Sequence, residues 1–192
     1  LKKKEWRNLA ISSLVVSAAF TFKNITLAFF LQCLFLVSVS FFLNNFVQDF
    51  ISEKEGIEDW CKLWPVGILV TVLSGLLSGG TAVLAIPTFL KIKEKETSRW
   101  MKDQTEIKVR DIGLSSIGGP LVNLILATLF FGAWSFYGLN FFYLGALINF
   151  WIALANLIPM PPIDGSKIMS WDRWVWVLSV LAAVIGLFGL VV

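Results

Sequence analysis

Residues 25–43 run from Ile25 to Leu43 with only Thr26, Gln32, Ser38 and Ser40 as polar members and no charge. As a helix these nineteen residues rise about 28 Å, which matches the hydrocarbon thickness of a bilayer. In lipid a lone segment can satisfy its backbone only as a helix, so this stretch rules out most folds at once. The rest of the chain agrees: of 192 residues, 57% are hydrophobic and the mean hydropathy is +0.77. Soluble domains usually stay below half apolar. The expected class is an all-α polytopic membrane protein, integral and multi-pass, and its length suits a single transmembrane domain over residues 1–192.

Further apolar segments follow the same reading. The spacing predicts helices over 8–22, 25–50, 113–137, 141–158 and 174–192. Residues 64–90 are apolar but broken by Ser74, Gly75, Ser78, Gly79, Gly80 and Pro87, so they read as one spanning helix or as a re-entrant pair of shorter pieces. Residues 52–63 read as a charged, mostly acidic loop. Residues 91–111 read as a charged loop with seven basic residues. The chain begins at Leu1 rather than Met, as a fragment would, and its basic start, Lys2 to Lys4 and Arg7, reads as an anchor rather than a removable signal. The net charge of +3 flanks apolar segments, where it sets topology and meets lipid head groups. Membrane lipid is therefore an expected partner, and nucleic acid is not. Cys33 reads as a small core residue, Cys61 carries no assigned role, and the absence of histidine excludes imidazole acid–base chemistry and the commonest zinc ligand.

The functional signal lies at Asn156-Leu157-Ile158-Pro159-Met160-Pro161-Pro162-Ile163-Asp164-Gly165. Three prolines stop any helix there, and one carboxylate follows beside a glycine. An ionisable group at the edge of an apolar segment is costly, and it reads as a functional candidate. Asp-Gly is also a common turn pair, and amides such as Asn44, Asn45 and Gln48 often hydrogen-bond between membrane helices.

Asn156-x-x-Pro159-x-Pro161-x-x-Asp164-Gly165, preceded by Gly119-Pro120-x-x-Asn123, resembles the site-2 protease family of intramembrane zinc metalloproteases, its short archaeal members above all, with Asp164-Gly165-Ser166-Lys167 as a shared continuation. The resemblance implies a site-2-protease-like helix bundle. It also implies a zinc site in which an H-E-x-x-H helix supplies two ligands and a general base, and the aspartate supplies the third ligand. Two side chains four apart on a helix can grip one metal, and the intervening glutamate reaches the metal-bound water. At the matching position this chain reads Asn44-Asn45-Phe46-Val47-Gln48. On that register Asn44, Gln48 and Asp164 stand at the ligand positions, and only Asp164 keeps a ligand's chemistry. Asn45 stands at the position of the general base, where an amide cannot take a proton from water. Asn123 and Asn156 fall where the family has its substrate groove.

These departures imply a catalytically inactive homologue, a pseudoprotease, with no cofactor expected although active members hold zinc. Its expected partners are single-span membrane protein clients, and its expected location is the plasma membrane of a prokaryote. Hydrogen bonds among Asn44, Gln48, Asn123 and Asp164 are expected to replace the metal as a cross-link. The alternatives are an active intramembrane metalloendopeptidase, or a mutated version of one, and a structural membrane subunit. If residues 64–90 are re-entrant, Asn44, Gln48 and Asp164 finish on one face, together with the basic segments. That favours five spanning helices with the residual site toward the cytoplasm.

Overall fold

A computed structural model describes residues 3–22, 24–94 and 108–191. It contains helices α1 (Lys3–Phe20), α2 (Leu27–Lys54), α3 (Pro65–Ser78), α4 (Val109–Tyr137), α5 (Asn140–Asn156), α6 (Asp164–Trp171) and α7 (Arg173–Val191), with strands β1 (Ile57–Leu63) and β2 (Thr88–Glu94). The predicted helices all exist with shifted ends. Three of them, Leu27–Lys54, Val109–Tyr137 and Arg173–Leu190, are long and apolar enough to cross a membrane, and α3 and α5 are shorter apolar helices.

The all-helical expectation needs a correction. β1 and β2 form an antiparallel pair with Ile57 opposite Glu94 and Leu63 opposite Thr88. Residues predicted as an acidic loop and as the start of a basic one are therefore strands. The cause is period-two patterning: Leu90 and Ile92 alternate with Lys91 and Lys93, a half-buried strand signal. The remainder of the predicted charged loop changes too. Val109 to Asp111 open α4, and residues 95–107 lie outside the described residues. Helix α6 is also new, since the chain after the proline stretch resumes a helix at once.

Helix α2 shows how sequence positions the site. Its buried residues are Cys33, Leu36, Val37, Ser40, Phe41, Asn44, Asn45, Gln48 and Ser52, spaced three or four apart. Such spacing keeps one face inward for the whole helix. That face is mainly apolar up to Phe41 and polar beyond it. The apolar half joins a core with Leu9, Val16, Leu144, Ile148 and Ile152. Ser40 ties α2 to α5 by donating to Asn149 Oδ1 at 2.8 Å. The polar half has to find other partners.

The broken segment predicted at 64–90 leaves the sheet and returns to it. Leu63 and Thr88 are paired, and the Trp64 N–H donates to the Pro87 carbonyl at 2.9 Å. Pro65 opens α3, and Gly79 and Gly80 turn the chain with φ of 62° and 80°, values that favour glycine. The returning residues 82–86 lie along α3 without a β partner. The hydroxyls of α3 serve them instead. Thr71 Oγ1 donates to the Leu84 carbonyl and accepts from the Ile86 N–H, and Ser74 Oγ accepts from the Leu84 N–H. Ser78 Oγ accepts from the Ala82 N–H. Extended backbone in an apolar setting is stable only when its polar groups are met in this way.

Candidate functional site at the proline–aspartate motif

Helix α5 ends at Asn156, the chain turns through the prolines, and Asp164 becomes the first residue of α6. The turn brings α6 back so closely that a Cβ on Gly165 would lie 2.3 Å from the Leu157 carbonyl oxygen. Glycine is required there by contact, and the contact fixes where Asp164 points. Asp164 is buried, and its carboxylate is bonded at both oxygens. Gln48 Nε2 donates to Oδ2 at 3.1 Å, and Lys167 Nζ donates to Oδ1 at 2.8 Å. A carboxylate this buried needs such charge-assisted partners.

Four of the sequence-predicted residues, Asn44, Asn45, Gln48 and Asn156, come together with Asp164. Asn44 and Gln48 share one face of α2 and press on α4, where a Cβ on Gly119 would meet Asn44 Oδ1 at 2.4 Å and Gln48 Nε2 at 2.7 Å. Asn45 turns its amide to its own helix, and Nδ2 donates to the Phe41 carbonyl at 2.8 Å. Of the expected amide network, the Gln48–Asp164 bond is present. Asn123 does not join it. Asn123 is fully buried in α4, and neither its Oδ1 nor its Nδ2 has a partner among the described residues.

A polar cavity of about 30 Å³ lies over this cluster, room for about one water molecule. Phe41, Asn44, Asn45, Gln48, Asn156 and Asp164 form its helical wall, and Cys61, Ala85, Thr88, Phe89 and Leu90 form the opposite wall. Asn156 therefore faces the cavity, whereas Asn123 is not among the lining residues. The strand wall was missed in the sequence. Cys61, read without a role in a polar loop, is a buried residue of β1 in that wall. Burial, opposed by a hydrogen bond with Thr88, pushes its thiol up to about 11. Nearby, Ser52 at the end of α2 donates to Asp59 Oδ2 of β1 at 2.7 Å. Burial still holds the Asp59 carboxyl above its usual range against that bond. Lys167 was also missed as a partner, although its spacing of three from Asp164 on a helix carries the signal.

Gly119→Val tests the fit of α4 against the amides. The added atoms would displace Asn44 and Gln48 and leave one oxygen of Asp164 without a donor. The expected loss is about 2–4 kcal/mol, read as a lower midpoint of thermal unfolding in detergent. An unchanged midpoint would mean that α2 and α4 are not in this register.

No protein-family model matches the chain, and no solved structure matches it. The chain is 24% identical over 181 residues to a Methanocaldococcus jannaschii protein that carries the name "Putative zinc metalloprotease", and the match covers 92% of this chain and 88% of the relative. Over most of its length, then, this membrane-type helical protein is similar to one named a putative zinc metalloprotease.

Proposed function

We propose that the chain is a site-2-protease-like membrane protein that has lost its metal chemistry and holds transmembrane segments of single-span client proteins without cutting them. The observation that carries the proposal is the hydrogen bond from Gln48 Nε2 to Asp164 Oδ2. It joins two positions at which the resemblance puts zinc ligands. The donor set there is one carboxylate, a group of amides and the Cys61 thiol of the facing wall, and protein zinc sites use three or four ligands drawn from Cys, His, Asp or Glu. Both carboxylate oxygens already accept from an amide or an ammonium, so an incoming cation would meet Lys167 at close range. No cluster of three metal-ligating side chains occurs among the described residues. These residues do not fit zinc, and no step through a metal is derived. Asn45 donates to a backbone carbonyl and offers no basic atom for water.

The segment between Leu63 and Thr88, which leaves and returns at one place, supports a re-entrant reading and five spanning helices: α1, α2, α4, α5 and α7. The residual site then faces the cytoplasm of a prokaryotic cell. A second reading, an active intramembrane metalloendopeptidase, draws on the name of the relative. Elemental analysis of the purified chain separates the two. The expected result is zinc far below one ion per chain and no cleavage of a membrane-embedded substrate. Stoichiometric zinc with cleavage would sink the proposal. Capture of a single-span membrane protein that is lost on changing Asn156, which faces the cavity, is expected, and capture indifferent to that residue would favour a purely structural subunit.

A further inference from the structure

The polar cavity has one wall of helices and one wall of strands, and the Lys167 side chain reaches from one to the other. Lys167 Nζ donates to Asp164 Oδ1 at 2.8 Å on the helical side and to the Leu90 carbonyl at 2.8 Å on β2. We infer that Lys167 is a latch that holds β2 closed over the cavity and must let go before anything larger than water reaches Asn44, Gln48 and Asp164.

The two strands are fastened differently. β1 is held by Asn8 of α1, whose Nδ2 donates to the Cys61 carbonyl at 3.0 Å, and by Ser52 of α2, which donates to Asp59. β2 is held by its pairing with β1 and by the Lys167 bond to Leu90. Release of that bond leaves β2 held by its pairing with β1, while β1 keeps its own anchors on α1 and α2, so β2 is the less firmly held side of the wall. The lysine suits the task. Its ammonium carries three donors, and two of them bond residues that line opposite walls of the cavity. The spacing of three along α6 sets the ammonium above Asp164. The Lys167 side chain is 20% exposed and that of Asp164 is 10% exposed, so water reaches the latch from outside while the carboxylate stays sheltered. A cavity of about 30 Å³ excludes a peptide, and the cavity groups gain a use only when this wall moves. The latch is a property of the fold and stands or falls apart from the loss of metal chemistry.

The chain carries its own reporter. Cys61 sits in the strand wall, and Cys33 is buried in the apolar core between the helices. Alkylation of the full chain in detergent by N-ethylmaleimide, read at each cysteine by mass spectrometry, measures cavity opening against a core control. Lys167→Met is expected to speed labelling of Cys61 by about tenfold and to leave Cys33 at the parent rate. Lys167→Arg keeps donors for both walls and is expected to label as the parent does. An unchanged Cys61 rate in Lys167→Met overturns the latch. So does an equal rise at Cys33, which would mean general loosening, and so does a Lys167→Arg chain that labels like Lys167→Met. Should Lys167→Met fail to fold, Asp164→Asn is read on the same two cysteines. That change removes the charge that steers the lysine, so it is expected to speed Cys61 alone. A parent rate at Cys61, or a rise at both cysteines, counts against the latch.

Discussion

Gly165→Ala is expected to prevent the motif from folding, at a cost of about 4 kcal/mol or more. The added Cβ would lie 2.3 Å from the Leu157 oxygen, 2.4 Å from the Leu157 carbonyl carbon and 2.5 Å from the Ile158 oxygen. All three are backbone atoms, so no rotamer change relieves the clash. Relief needs α6 to move away from the end of α5, and that movement takes Asp164 from Gln48 and Lys167. It also draws Ile168 out of its cluster with Ile117 and Leu157. Gly132→Ala is the control. A Cβ there meets nothing within 4 Å, so the change should be neutral or slightly stabilising. Thermal unfolding of both variants in detergent decides the matter. A Gly165→Ala chain that melts like its parent would show that α6 does not return this closely.

The second large effect is a gain. Asn44→His, Asn45→Glu and Gln48→His made together are expected to confer zinc binding of about one ion per chain, with a Kd of about micromolar or tighter. Residues 44 and 48 share one face of α2, and the Gln48 side chain already reaches Asp164. Two imidazoles on that face and the carboxylate opposite would give three ligands, with a position left for water. Zinc would have to displace Lys167 from Asp164, so adding Lys167→Met to the triple variant should tighten binding further. Gln48→His alone leaves two ligands and should bind poorly. A folded triple variant without zinc would mean that α2 and α6 do not present these positions to one point.

Much of the architecture was legible because the bilayer leaves few choices. The run from Ile25 to Leu43 had to be a helix, and the prolines had to end α5. The pairing of Gln48 with Asp164 was reachable from the motif, since it joins two positions at which the resemblance puts zinc ligands. The sheet was harder to see. Its strands are only seven residues each, and one of them straddles the border between an apolar run and a charged run. Composition splits that segment at Leu90, whereas its alternation joins it. The Lys167 bond to Leu90 could not be read at all, because it depends on the position of β2, which the sequence had divided between an apolar segment and a charged loop. Asn123 was expected in the same network as Asp164. Spacing along α4 puts it on the Gly119 face, but spacing does not say how far along α2 that face makes contact.

The hydroxyls of α3 have one further consequence. Residues 82–86 borrow their hydrogen-bond partners from Thr71, Ser74 and Ser78 instead of from a neighbouring strand. A helix flank thus does the work of a sheet edge, and neither piece is complete without the other. Peeling the extended piece away would strand backbone groups that no strand could rescue. Unwinding the helix would scatter the hydroxyls that hold it. The excursion from Trp64 to Pro87 is therefore a single cooperative unit that opens as a whole, and its cohesion rests on three small side chains that hydropathy alone would count as interruptions.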